Sequence, residues 1–239
     1  LSIKNSINEG KFFHHYQPIL SLKCGERLGY EVLLRSEHYT NPEIIFKEAI
    51  EEKVLYELDS HSLYKGISTF VAEGFVRGEG KLFLNVLPST ILNPEFLSFI
   101  SQSVEEKLLD RQDIVLEISE TEIIEQLEEF MEKIVELKKA GFTIAIDDIG
   151  NGYSNLKTII ELNPNFLKLD RYFSKNLSLS TQKQTIITFL LAYCNQQESQ
   201  LILEGIENKE DMEIAKSLDV PIAQGYYLGK PSLLKRGSK

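Results

Sequence analysis

Along the sequence, acidic and amide side chains recur at the ends of short apolar runs. Glu31, Asn85, Glu117, the pair Asp147-Asp148, Glu204 and Gln224 each stand at such an end, and Lys168 takes the same place within 166–170. A purely structural framework has no use for this series, because each buried charge without a partner costs several kcal/mol. Five carboxylates gathered at one mouth would repel one another, and cations must offset that repulsion. Oxygen ligands from Glu, Asp and Asn suit Mg²⁺ or Mn²⁺ rather than zinc. Each residue alone has a plainer explanation. Asp147-Asp148 suits a turn, and using both side chains at one site requires the strand to bend, since neighbours on a regular strand face opposite ways. Lys168 suits a solvated edge, yet it shares a face with Asp170 between two leucines, a poor place for an ammonium without a carboxylate partner. Glu31 and Arg35 share a strand face at i, i+4, setting a metal-type ligand beside a phosphate-type donor. The recurrence carries the expectation: divalent cations held at one mouth.

The elements that must position these residues follow from the same runs. Apolar stretches at 12–20, 29–35, 81–86, 114–118, 142–149, 166–170, 200–206 and 222–228 give eight candidate strands, rich in Leu, Ile, Val and Phe without strict alternation. That composition fits strands buried on both faces. Helical periodicity fills the segments between. In 122–140, Ile123, Leu127, Phe130, Ile134 and Leu137 make one apolar face; Ser119 and Glu122 have capping-box spacing and Gly141 is a stop. Asn208 is placed to cap a helix over 209–218. A helix over 181–195 carries Ile186, Phe189, Leu190 and Tyr193 on one side, and 42–74 has room for two helices. About eight strand–helix repeats predict an α/β fold, a (β/α)8 TIM-like barrel, whose chemistry belongs at the C-terminal strand ends. No Gly-x-Gly-x-x-Gly follows the first strand, which weakens a dinucleotide-binding alternative.

Composition is consistent with one domain over 1–239, with a core of about 12–231. Of 239 residues 42% are hydrophobic, including 13 Phe and 10 Tyr, enough for a large core. The net charge of -10 and pI near 5.0 argue against a nucleic-acid polymer or an anionic membrane as partner. Cys24 and Cys194 are far apart, which excludes a Cys-x-x-Cys zinc site and suits thiols in a reducing cytoplasm. No apolar run approaches the ~18 residues of a spanning helix, and no signal peptide is expected. His14 and His15 read as core or supporting residues, Gly150-Asn151-Gly152 as a turn that also permits a mobile loop, and Tyr226-Tyr227 as packing.

Taken together the blocks resemble the EAL-domain family of cyclic di-GMP phosphodiesterases. The resemblance runs from Phe12 to Pro231. It rests on Tyr16-Gln17-Pro18-Ile19, Tyr30-Glu31-Val32-Leu33-Leu34-Arg35, Leu84-Asn85-Val86, Leu116-Glu117-Ile118-Ser119-Glu120, Asp147-Asp148-Ile149-Gly150-Asn151-Gly152-Tyr153-Ser154, Leu167-Lys168-Leu169-Asp170, Glu204-Gly205-Ile206-Glu207 and Gln224-Gly225-Tyr226, in that order and spacing. It implies hydrolysis of cyclic di-GMP to linear pGpG with two Mg²⁺ or Mn²⁺ ions. Glu31, Asn85, Glu117 and Asp147 would hold one ion, and Asp147, Asp148 and Glu204 the other. Gln17 and Arg35 would contact the dinucleotide, with Gln224 beside them. Lys168 would position the attacking water, Glu120 would brace the loop after the aspartates, and Glu207 would support the site. A homodimer and sensor or GGDEF domains outside this chain are implied as partners.

Two departures stand out. Glu-Ala-Leu reads Glu31-Val32-Leu33, and the loop usually written Asp-Asp-Phe-Gly-Thr-Gly-Tyr-Ser-Ser carries Ile149, Asn151 and Asn155. The ligands are spared, but the altered loop motivates a second reading: a weak or inactive cyclic di-GMP receptor or interaction module. An enolase-like or isomerase-like barrel could also combine carboxylates, lysine and Mg²⁺, without accounting for the block spacing.

Overall fold

The computed structural model describes residues 2–39, 41–119, 127–150 and 156–235. Eight strands close a barrel in chain order: β1 (Phe12–Ser21), β2 (Arg27–Ser36), β3 (Lys81–Val86), β4 (Ile114–Ser119), β5 (Thr143–Ile149), β6 (Phe166–Leu169), β7 (Gln200–Leu203) and β8 (Ile222–Ala223). From β2 to β8 every neighbouring pair is parallel, whereas β1 runs antiparallel to both β2 and β8. The reversal follows from the short link between the first two apolar runs. Residues 22–26 are too few for the crossover a parallel pair needs, but they suffice for a turn. Gly25 sits there at φ 74°, and Ser21 N–H donates to Glu26 O at 2.9 Å.

Helices coat the outside: α1 (Ile3–Asn8), α2 (Pro42–Glu51), α3 (Leu55–Ala72), α4 (Pro88–Leu92), α5 (Phe96–Glu106), α6 (Leu127–Lys139), α7 (Leu156–Leu162), α8 (Arg171–Ser174), α9 (Thr181–Gln196) and α10 (Lys209–Ser217). The pair expected in 42–74 is present as α2 and α3. Asn208 caps α10 by accepting Asp211 N–H at 2.8 Å, and Gly141 ends α6 at φ 97°. Phe130, Ile134 and Leu137 of α6 are buried as the periodicity predicts; Glu122 and Ile123 lie outside the described residues. On α9 the expectation holds in part, for Leu190 and Tyr193 pack against the core. Ile187 and Cys194 face the barrel, while Ile186 is 45% and Phe189 68% exposed. The apolar positions of this helix surround it, so spacing could not tell which side faces inward.

Period two along the strands layers the interior. Ile19, Phe83, Val115, Ala145, Phe166, Ile202 and Ile222 pack together as an apolar floor, with Phe83 and Phe166 edge to face at 5.3 Å. Two residues further along β3 to β7 stand Asn85, Glu117, Asp147, Lys168 and Glu204, and Gln224 lies two residues beyond Ile222. On β1 the order inverts with the strand direction, Gln17 preceding Ile19 by two. One polar layer therefore rests on one dry layer.

Candidate active site

Lys168 is 0% exposed and its Nζ lies among four carboxylates: Glu117 Oε1 at 2.8 Å, Glu204 Oε1 at 2.9 Å, Asp147 Oδ1 at 3.0 Å and Glu31 Oε2 at 3.6 Å. These answer the question Lys168 raised in the sequence. Its partners are on other strands, and Asp170 instead caps α8 by accepting Tyr172 N–H at 2.8 Å. Asn85 Nδ2 donates to Glu31 Oε1 at 3.3 Å and Gln224 Nε2 to Glu31 Oε2 at 2.5 Å.

Asp148 joins the cluster because β5 is irregular. Ile146 pairs with Leu167 and Ile149 with Leu169, so three steps on β5 oppose two on β6. The extra residue makes a bulge, and Asp148 adopts φ 58° within it. Aspartate tolerates this left-handed backbone better than most residues, at a cost of about 1 kcal/mol. The bend that two usable neighbouring aspartates require is thus built into the strand. It yields two acidic groups, Glu31–Glu117–Asp147 and Asp147–Asp148–Glu204, each with oxygens within 4.8 Å of one another and sharing Asp147.

Electrostatics set the character of the cluster. Burial pushes the Glu117 and Glu204 carboxyls well above the usual carboxylate range, and neighbouring Asp147 and Glu31 add to the push against the pull of Lys168. Burial first, then Asp147, lifts Asp148 to about 6. Burial opposes the charge on Lys168, but Asp147, Glu117, Glu204 and Glu31 outweigh it and hold the ammonium firmly protonated. Five carboxylates against one ammonium leave a formal charge of -4 when all are ionised, which two divalent cations would balance. Glu117 Oε2 is buried without a partner among the described residues, and the equally buried Glu117 Oε1 and Asp147 Oδ1 meet Lys168 Nζ alone. Buried, all-oxygen donors so sparsely satisfied fit hard divalent ions.

The remaining expected residues fall around this centre. Gln17, Glu31, Asp148, Glu204, Gln224 and Tyr226 line one cleft of about 300 Å³, with Asp170, Arg171 and Glu207 also on its wall. Gln17 Nε2 donates to Gly229 O at 3.1 Å. Arg35 lies apart from that cleft. Its guanidinium donates to Leu34 O at 2.8 Å and lines a neighbouring cavity of about 220 Å³ with Asn85, Asp59 and Ser119. Glu120 and residues 151–155 lie outside the described residues. Arg171 went unmarked in the sequence, where one arginine after a strand carries no signal. Tyr226 and Tyr227 do not pack as expected: they are 58% and 48% exposed, and Tyr226 faces the cleft. His14 is a core residue, its Nε2 3.0 Å from Ser62 Oγ, and burial lowers its pKa to about 3.

A sequence model of the EAL domain matches residues 2–231. Among curated proteins, cyclic di-GMP phosphodiesterase RocR of Pseudomonas aeruginosa is 28% identical over 237 residues, covering 96% of this chain and 59% of its own length. This chain spans between 28% and 59% of the length of the first five such relatives. Among solved structures, a standalone EAL protein from Vibrio cholerae in a cyclic di-GMP-bound form superposes with a TM-score of 0.85 at 26% identity, covering 92% of both chains. The manganese and cyclic di-GMP complex of Klebsiella pneumoniae BlrP1 does so with a TM-score of 0.84 at 25% identity, over 92% of this chain and 56% of that one.

Proposed function

The chain belongs to the EAL domain family, and from that premise we propose that it hydrolyses one phosphodiester of cyclic di-GMP to linear pGpG with two Mg²⁺ or Mn²⁺ ions. The observation that carries this reading is the pair of acidic groups sharing Asp147 around the buried Lys168 ammonium. Glu31, Asn85, Glu117 and Asp147 would hold one ion; Asp147, Asp148 and Glu204 would hold the other. The ions, when bound, supply Lewis-acid polarisation of the phosphodiester and acidification of an attacking water. The side chains do the rest. Lys168, fixed on a dry floor, orients the water and offsets charge developing on the phosphoryl oxygens. Gln17, Arg35 and Gln224 bind the dinucleotide, and the amide of Gln224 holds the Glu31 carboxylate in register. Glu204 would serve the water as well as the second ion, Glu207 would support the cleft wall, and Glu120, outside the described residues, would brace the loop that follows the aspartates.

We read 1–239 as one domain acting in the cytoplasm, associated as a homodimer and serving larger proteins with sensor or GGDEF domains. One feature supports the dimer, the exposed apolar side of α9; no described helix is long and apolar enough to cross a membrane. The test is incubation of the purified chain with cyclic di-GMP and either metal. Linear product is expected, lost on chelation and in Glu31→Ala. Tight nucleotide binding without product under either metal would replace the enzyme with a receptor.

A further inference from the structure

The bulge that brings Asp148 to the site has to be held, and the residue that holds it lies outside the cluster. After the bulge, β5 is pinned at Ile149, whose carbonyl accepts Asp170 N–H at 3.1 Å, and Gly150 follows at φ 96°. A Cβ on Gly150 would lie 2.2 Å from Cε2 and 2.8 Å from Cζ of Phe173, so the ring edge rests directly on that backbone. Phe173 belongs to α8, a single turn fixed at its start by Asp170, whose carbonyl accepts Phe173 N–H at 2.9 Å. The other side of the same turn presses on β7. A Cβ on Gly205 would meet Arg171 Cβ at 2.3 Å and Ser174 Oγ at 3.1 Å. Gly150 comes two residues after Asp148 and Gly205 one residue after Glu204. One short turn is therefore wedged against the backbone behind both carboxylates that Asp147 joins in the second acidic group.

We infer that Phe173 is a positioning residue: its ring holds the Asp147–Asp148 bulge so that Asp148 and Glu204 stand at the spacing a second divalent ion requires. The inference rests on the two-ion reading above and adds an asymmetry to it. Glu31, Glu117 and Asn85 sit on β2, β4 and β3, none of which touches this turn through the contacts just described. Losing the ring should loosen one ion and spare the other. Residues that orient ligands without touching the metal typically change affinity by about 10- to 100-fold when removed.

The experiment is a Mn²⁺ titration of the whole chain, followed by calorimetry and by electron paramagnetic resonance of bound Mn²⁺. Wild type is expected to take up two ions, with the spin–spin coupling of a close pair. In Phe173→Ala the weaker ion should lose at least about tenfold in affinity, with the coupling gone and the tighter ion within about threefold of wild type. Phe173→Tyr, which keeps the ring, should restore both. Phe173→Leu, which keeps an apolar side chain on the turn but removes the ring, should reproduce the selective loss even where Phe173→Ala does not fold. Two ions bound in Phe173→Ala as in wild type, or equal weakening of both, would overturn the inference while leaving the two-ion site standing. A wild type that binds no pair of ions would overturn both.

Discussion

Replacing Lys168 with methionine separates what its ammonium does for stability from what it does for the reaction. The side chain is fully buried with three carboxylates within 3.0 Å and a fourth at 3.6 Å. At an effective dielectric of ~20, one such contact at ~3 Å is worth about 5 kcal/mol. The carboxyls respond to losing the ammonium by taking up protons, so four contacts do not add. The loss should settle near the ~3–5 kcal/mol typical of a buried pair deprived of one partner. For a chain of this length that is roughly 10 °C in Tm. Divalent ions change the outcome. They replace the lost positive charge and no longer meet a repelling ammonium, so Lys168→Met should bind them more tightly than wild type and recover most of its deficit. Activity should stay low even then. The assay is thermal and urea unfolding in EDTA and in saturating Mg²⁺ or Mn²⁺. A variant that melts within ~2 °C of wild type in EDTA, or that keeps its full deficit with saturating metal, would falsify the view of Lys168 as the counter-charge of the cluster.

Two further outcomes follow from the same site and surface. Glu117, Glu204 and Asp148 have folded-state pKa values raised chiefly by burial, so the metal-free protein binds more protons folded than unfolded and loses stability as pH rises from ~4 upward, through about 6 for Asp148. Melting curves in EDTA should fall across that window, and saturating Mg²⁺ should flatten the slope; an EDTA profile that rises instead would remove the raised carboxyls from the account. On α9, Ile186→Glu with Phe189→Glu should change monomer stability by less than ~0.5 kcal/mol, because both side chains are largely exposed. Sedimentation equilibrium should show self-association weakened at least about tenfold, each ~1.4 kcal/mol of lost interface counting for one decade; unchanged association would move the interface elsewhere.

The barrel was legible in the sequence because buried strands announce themselves as dense apolar runs, and each of the eight runs contains a strand, although β7 and β8 end well before their runs do. Its reversed first strand was present in the same data as an eight-residue gap between the runs at 12–20 and 29–35, too short for a helical crossover. The ring around Lys168 was foreshadowed by residue types at strand ends, since period two must place residues at matching offsets on one interior level. What the spacing could not express was shape off the regular lattice. The bulge at Asp148 depends on a left-handed backbone angle, and the contact of Phe173 with Gly150 joins a helical turn to a strand end through an empty Cβ position. Neither leaves a periodic trace. α9 was misjudged at Ile186 and Phe189 for another reason: with apolar residues on every side, a helix does not reveal which face meets the barrel. The exposure of Tyr226 depended on the path of the chain after β8, for which the local sequence holds no rule.

The reversal of β1 also shapes how the barrel closes on β8. The short β8 pairs at two positions on each side, with β7 at Ile202–Ile222 and Leu203–Ala223 and with β1 at Leu20–Ala223 and Ser21–Ile222, the β1 side supplemented by one bridge from Tyr16 to Ser232. Closing the β1–β8 seam joins residues about 200 positions apart, so of the strand pairings it carries the largest loop-closure cost. Two side-chain amides reinforce it: Gln17 on β1 reaches Gly229 beyond β8, and Gln224 beyond β8 reaches Glu31 on β2. Both belong to the cleft. Breathing of the seam therefore carries Glu31 and the cleft wall with it, and anything that bridges Gln17, Glu31 and Gln224 from within the cleft acts as a fastener for the whole cylinder.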